Sequence, residues 1–385
     1  MAEIEKTQHF ETANPAAARA LVVAGLFFLA ALPLWHVGSN IAVGATAWSQ
    51  LVAEVPTGET LKAFEQILVD DAPAALAVRP PIARATARWL RRGNQRVVIG
   101  REGWLYYRPS LDHTWGPPIR SDLGPGSPGA AIVSYARALA ERGIKLVLVP
   151  VPGKESIVPE PLGGDWADAS EPPRNRGIAP LIAALRGAGV DVVDAGQLLW
   201  RARARSQEPL FLQGDTHWTP AGLEVVVAAV AARVIESGGT GVPAVVWRPR
   251  SFEPVVNHGD LYDMLNLGPG PDLWPPTQVN LARASQGTAS APVLVLGDSF
   301  ANIYSEPSLK WGERAGFAEQ LGYRLALPVD VLALNNGAAN DVRAALARQP
   351  QRLAATRVVV WEFNVRSLAA AEPAWKDIPL PRSLP

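Results

Sequence analysis

Two short stretches of this chain carry residue types that can do chemistry together. The apolar run Val293-Leu294-Val295-Leu296 ends in Gly297-Asp298-Ser299-Phe300, which puts a hydroxyl at a sharp turn after a strand. Upstream, Asp215-Thr216-His217-Trp218 offers an imidazole with a carboxylate two positions before it. A serine hydroxyl is a weak nucleophile until a base takes its proton and a third group holds that base. All three parts are present. They fit acyl chemistry through a covalent ester on Ser299, with His217 as base and Asp215 as the acid that orients it.

Elimination supports this choice of base. Of the five histidines, His9 lies in a polar N-terminal tail and His36 in an apolar segment, which leaves His113, His217 and His258. Side chains alternate along extended backbone, so Asp215 and His217 share a side. A local turn can then bring the carboxylate to one ring nitrogen and leave the other for the serine. Asn257-His258-Gly259-Asp260 has a similar pattern without a strong element behind it and stands as the alternative.

A tetrahedral intermediate needs donors aimed at its oxyanion. The Ser299 N–H is one. The loop Asn335-Asn336-Gly337-Ala338-Ala339-Asn340 offers a second, through the Gly337 N–H or the Asn340 amide, although Asn340 equally suits the N-cap of the next helix. Tyr304 is expected to line the pocket. Trp218 is expected to contact substrate, because sugar rings stack on indoles. Arg366 either contacts an anionic polymer or is a plain surface arginine. Lys154 and Glu155, at a strand end, either organise the site or form a structural ion pair. No His/Asp/Glu cluster has metal-ligand spacing and no glycine loop cradles phosphate, so neither a metal nor a cofactor is expected.

The elements that must hold these residues alternate. Helical periodicity over 128–142, 178–187, 220–237, about 309–321 and 341–348 is interleaved with apolar runs at 144–151, 190–193, 293–296, 329–334 and 358–363. Thr219 caps the 220–237 helix, Pro220 opens it and Gly238-Gly239 ends it. Continuous apolar strands alternating with helices imply a mainly parallel sheet covered on both faces, with its active site beyond the carboxyl ends of the strands. Ser299 falls there. Two short strands around a turn are read at 97–107. Residues 239–290, rich in Pro and Gly, read as an insertion bordering the site.

Lys plus Arg equal Asp plus Glu at 36 each, so no basic surplus points to nucleic acid. The absence of cysteine excludes disulfides and thiol catalysis. Residues 20–37 (ALVVAGLFFLAALPLWHV) are apolar and free of acids, lysine and arginine, with a length that suits a bilayer. The layout expected is a cytoplasmic tail at 1–19, a transmembrane anchor at 20–37, a helical stalk or docking region at 38–95, and the main domain at 96–385. Cleavage of the apolar segment as a signal peptide is the competing reading. Either way the rest of the chain is exported.

Several of these stretches resemble the SGNH-like acyltransferases of alginate O-acetylation, the AlgJ/AlgX-like proteins. The matching segments are Gly103-Trp104-Leu105-Tyr106, Val149-Pro150-Val151-Pro152-Gly153-Lys154-Glu155-Ser156, the Asp215 to Gly222 block, Gly297-Asp298-Ser299-Phe300 and Trp361-Glu362-Phe363. The resemblance spans roughly 97–370. It implies a three-layer α/β/α SGNH-like (flavodoxin-like) domain with a mainly parallel sheet, preceded by an N-terminal transmembrane helix. It also implies Ser299 as nucleophile, His217 as base and Asp215 as orienting acid. In typical SGNH hydrolases an Asp-x-x-His pair follows the serine; here the pair precedes it with one intervening residue, as in the acetyltransferase branch. The implied activity is acetyl transfer onto exopolysaccharide hydroxyls at the periplasmic face of a bacterial inner membrane. The implied donor is a membrane-bound O-acyltransferase (MBOAT-type) partner that hands acetyl across the bilayer. Two rivals stand: an acetyl esterase with the same triad, and a non-catalytic glycan-binding scaffold of a secretion complex.

Overall fold

The structure is a computed structural model that describes residues 73–166, 168–238, 250–284, 291–335, 337, 339–369 and 375–380, with scattered positions between 23 and 38. The chain divides into two units, 1–85 with 266–270, and 86–265 with 271–385. In the first, Arg84 donates from Nε to the Leu267 carbonyl (3.2 Å) and from Nη2 to the Gly268 carbonyl (2.8 Å). The helix Pro73–Leu90 begins there and contains Pro80 and Pro81. The expected tail at 1–19, most of the expected anchor at 20–37 and residues 39–72 of the expected stalk lie outside the described residues. Among the described residues no helix is long and apolar enough to cross a membrane.

Among its described residues the second unit has nine strands: β1 (Val97–Ile99), β2 (Leu105–Tyr107), β3 (Lys145–Val151), β4 (Asp191–Val192), β5 (Ser251–Asn257), β6 (Thr277–Arg283), β7 (Val293–Gly297), β8 (Val329–Ala333) and β9 (Val358–Asn364). Five of them form one sheet in the order β4-β3-β9-β7-β8, and every described pairing within it is parallel. Its central strands are buried on both faces, which is why they read as unbroken Val/Leu runs.

Side-chain alternation divides the core in two. Val147, Val149, Val293, Val295, Val358 and Val360 face one layer, with the helices Ala195–Arg203, Pro220–Glu236 and Phe317–Leu325 packed over them. Leu146, Leu148, Leu294, Leu296, Val359 and Trp361 face the other, under Pro128–Ala140, Ile178–Gly187 and Asn340–Ala347. The result is a three-layer α/β/α arrangement. The antiparallel pair β5-β6, with the short helix Asp260–Met264 between its strands, occupies the stretch that the sequence marks only by Pro and Gly.

One helix is displaced from its expected place. The segment about 309–321 holds a single 3-10 turn at Pro307–Leu309, and the α-helix starts only at Phe317. Lys310, Gly312 and Arg314 all have positive φ, which a continuous helix does not allow.

Candidate active site

Ser299 follows directly from the carboxyl end of β7, as first residue of the short helix Ser299–Asn302. The turn that carries it is closed by one internal hydrogen bond and tied to β9 by two. Asp298 accepts from the Phe300 N–H (2.8 Å) and, through its other oxygen, from the Asn364 N–H (3.0 Å). The Asp298 N–H donates to Glu362 Oε2 at 3.1 Å. Gly297 is required for this closeness: a Cβ there would meet Ala301 Cβ at 2.6 Å and Glu362 Oε2 at 2.9 Å.

His217 is carried by the tight loop between Phe211 and Trp218, which pair as an isolated antiparallel bridge. The Thr219 hydroxyl accepts from the Gly222 N–H and starts the following helix. Beneath the loop, the buried Lys154 ammonium donates to three carbonyls: Leu212 (2.8 Å), Gln213 (2.9 Å) and Asp215 (2.6 Å). A lysine ammonium has three N–H donors, and all are spent on this loop. Lys154 therefore organises the Asp215 segment, and Glu155 takes a different partner, the Thr114 hydroxyl at 2.7 Å.

The two loops meet. His217 Nε2 lies 2.8 Å from Ser299 Oγ, and His217 Nδ1 lies 2.6 Å from Asp215 Oδ1. Asp215 Oδ1 also accepts from the His217 backbone N–H at 3.0 Å, and Oδ2 accepts from the Asp260 N–H (2.9 Å) and Trp311 Nε1 (2.8 Å). Ser299, His217 and Asp215 are all buried, at 7%, 3% and 1% exposure, so their charges interact with little screening by water. With Nδ1–H pointing at Asp215, Nε2 is the free base facing the hydroxyl.

Electrostatics favour that polarity. Burial works against a charge on both partners. The attraction of His217 and the hydrogen bonds outweigh it at Asp215, which stays below the usual carboxylate range, and the Asp215 charge likewise raises His217. A second carboxylate lies behind them. Asp260 accepts from the Thr216 N–H (2.8 Å) and hydroxyl (2.6 Å), and burial followed by the Asp215 charge pushes it up to about 6. Asp215, His217 and Asp260 bring one ligand atom each within 4.8 Å of one another, a spacing a cation could use. The facing atoms of Asp215 and His217 are already bonded to each other, and Asp260 to Thr216. This cluster thus serves the imidazole.

The remaining expected residues fall elsewhere. Trp218 is fully buried, with its indole packed against Phe300 and Phe317, so it backs the imidazole loop from the core and no sugar reaches it. Tyr304 is also fully buried. Its hydroxyl donates to the Trp218 carbonyl at 2.7 Å and fixes the loop without lining an open pocket. The Gly337 N–H donates to the Leu334 carbonyl at 2.9 Å, which closes a turn and removes it as an oxyanion donor. Asn340 Oδ1 accepts from Arg343 Nη2 (2.9 Å) and the Lys376 N–H (3.0 Å) at the first turn of its helix, with Ala339 in the cap position. Arg366 is half-buried, with its guanidinium 5.5 Å from the centre of the Tyr107 ring.

The other candidate bases are engaged or isolated. His258 lies 3.1 Å from Asp272 and stacks on Tyr262 at 4.3 Å. His113 is lowered to about 4 by burial and by Arg366, and neither ring nitrogen has a partner among the described residues. The contributions of Trp311, Thr216 and Asp298 escape a reading of the sequence. Only the acid in Asn257-His258-Gly259-Asp260 stands out in the sequence, beside His258, and the structure bonds it to Thr216.

The profile of the family described as "SGNH hydrolase-like domain, acetyltransferase AlgX" matches residues 97–365. The chain is 27% identical over 306 residues to the probable alginate O-acetylase AlgJ of Pseudomonas aeruginosa, covering 72% of each protein. It is 27% identical over 365 residues to its counterpart in Azotobacter vinelandii, covering 91% of this chain and 89% of that protein. Among solved structures, the O-acetyltransferase domain of Pseudomonas putida AlgJ superposes with a TM-score of 0.53 at 25% identity, over 72% of this chain and 95% of that domain. Pseudomonas aeruginosa AlgX shares the fold, with a TM-score of 0.53 at 17% identity over 73% of this chain and 65% of that one.

Proposed function

Because this chain belongs to the SGNH hydrolase-like acetyltransferase family of AlgX, we propose that it moves acetyl groups onto exopolysaccharide hydroxyls through an ester on Ser299. The observation that carries the reading is the 2.8 Å approach of His217 Nε2 to Ser299 Oγ, with Nδ1 held by Asp215. In the first half-reaction the Ser299 Oγ–H proton passes to Nε2 while Oγ attacks the acetyl carbon of the donor. The donor's bond to that carbon breaks, and the imidazolium returns its proton to the leaving group. In the second, a sugar hydroxyl gives its proton to Nε2 and attacks the acetyl-serine carbon. Oγ departs and takes the proton back. Asp215 stays ionised throughout and stabilises the imidazolium.

The polysaccharide acceptor follows from the alginate O-acetylases that the chain is similar to. In this reading the catalytic domain, residues 96–385 with 239–290 as an insertion, works in the periplasm. Residues 20–37 anchor it in the inner membrane beside an MBOAT-type donor, with residues 38–95 as the stalk. The test is to incubate the protein with an activated acetyl ester and a glycan oligomer. Acetyl is expected on Ser299 by peptide mass spectrometry and on the glycan, and on neither with Ser299→Ala. Free acetate with no acetylated sugar would overturn transfer in favour of hydrolysis.

A further inference from the structure

The chain is neutral overall, yet one stretch is far from neutral. Residues 72–101 contain Arg79, Arg84, Arg88, Arg91, Arg92, Arg96 and Arg101 and no acid or lysine. Most of this stretch is the helix Pro73–Leu90. Along it Val78, Ile82, Ala85 and Trp89 recur at spacings of four, three and four, so they share one face. That face is turned to solvent: Val78 is 40% exposed, Ile82 58% and Trp89 75%, with Leu90 beside it at 65%. Arg79 and Arg88 flank the stripe on its two sides by the same helical period, and Arg91 and Arg92 follow its end.

We propose that the helix Pro73–Leu90 lies on an anionic bilayer surface, with Val78, Ile82 and Trp89 in the headgroup boundary and Arg88, Arg91 and Arg92 against lipid phosphates. An exposed apolar stripe bounded by cations and carrying a tryptophan is what an interfacial helix needs. Each arginine near an anionic leaflet adds about 1 kcal/mol of attraction, and an uninterrupted run of one sign sums without internal cancellation. An anionic polysaccharide would satisfy the arginines but would leave the aliphatic part of the stripe in water, so the observations favour the bilayer. This placement goes beyond the anchor proposed above and does not rest on it.

The absence of cysteine makes a single-site probe clean. Full-length Ile82→Cys, and separately Val78→Cys, would carry an environment-sensitive dye, with Ile235→Cys, 53% exposed on another helix, as the reference site. Each protein is reconstituted into phosphatidylcholine vesicles with and without phosphatidylglycerol. Flotation reports membrane attachment, and quenching by headgroup-depth nitroxide lipids against aqueous acrylamide reports the helix. The expected result is lipid quenching at 82 and 78, but not 235, in the anionic vesicles. Replacing Arg88, Arg91 and Arg92 by Gln should lower the docked-to-undocked ratio about 100-fold, from roughly fivefold per arginine. Vesicles that float while the dye at 82 and 78 stays in water would leave the anchor standing and overturn the helix placement. Equal shielding in detergent or in neutral lipid, or shielding by a soluble polyuronate without vesicles, would overturn it too.

Discussion

Trp311 Nε1 donates to Asp215 Oδ2 at 2.8 Å from a position 96 residues further along the chain, and the indole is fully buried. With the Asp260 N–H it occupies the oxygen that His217 does not use. The carboxylate is therefore gripped from both ends, and its rotation about χ2 is fixed in the plane that suits the imidazole. Trp311→Phe keeps most of the apolar contact and removes only the donor. A hydrogen bond to a charged group contributes about 1.5–3 kcal/mol. With half of that serving the orientation of the imidazole, kcat/KM with an acetyl ester falls roughly 3- to 10-fold, at about 1.4 kcal/mol per decade. Unchanged kinetics in a stably folded variant would reduce Trp311 to packing.

The acid side of the pH profile reports the same cluster. In the proposed mechanism His217 acts as base only when unprotonated. Burial lowers its pKa, but the charge of Asp215 and, more weakly, that of Asp260 raise it, and the net shift is upward. Activity should thus fall on acidification with a midpoint above the ordinary histidine value of 6.5. Asp260→Asn removes one of the charges that favour the imidazolium, so the acid limb of kcat/KM should move to lower pH. Stability follows with the opposite partner. Burial and Asp215 raise Asp260 from 3.8 to about 6, so the folded state binds the extra proton. That contribution is full below 3.8 and is lost as pH rises through 6. Denaturant titrations of the Asn variant should lack this loss over the same window. An acid limb unmoved by the substitution would sink the coupling.

What could be read in advance followed from local rules. The parallel strands announced themselves as unbroken apolar runs because both faces of the sheet are covered. The Ser299 turn and the Asp215-His217 pair are compact motifs whose chemistry is visible in a few residues. What stayed hidden is long-range. Trp311 comes from a loop made irregular by Lys310, Gly312 and Arg314, and no period in the sequence points it at Asp215. Trp218 looked like a sugar platform because it adjoins the base. Side chains alternate along its short extended segment, though, so the imidazole beside it faces the site and the indole faces the core. The Gly337 N–H was a free donor on paper, and only the fold showed that the Leu334 carbonyl already takes it.

Glu362 tests how the nucleophile turn is held. It lies on β9 with no exposure, accepts the Asp298 N–H at 3.1 Å, and has no hydrogen-bond partner for Oε1 among the described residues. Burial, reinforced by the Asp298 charge, pushes its carboxyl well above the usual range, which favours the neutral acid. The Asp298 N–H needs only an acceptor oxygen at Oε2, which an amide also supplies. Glu362→Gln should therefore keep kcat/KM within about threefold, since the acceptor and its shape survive. Glu362→Leu keeps the volume and leaves the Asp298 N–H buried without an acceptor, at a cost of about 1–3 kcal/mol. Because that N–H is one residue from Ser299, part of the loss should appear in kcat, with KM nearly unchanged. Thermal unfolding of both variants separates a loosened turn from general instability. If the Gln variant lost as much activity as the Leu variant, the proton on Glu362 would matter in its own right, and the view of it as a passive acceptor would be wrong.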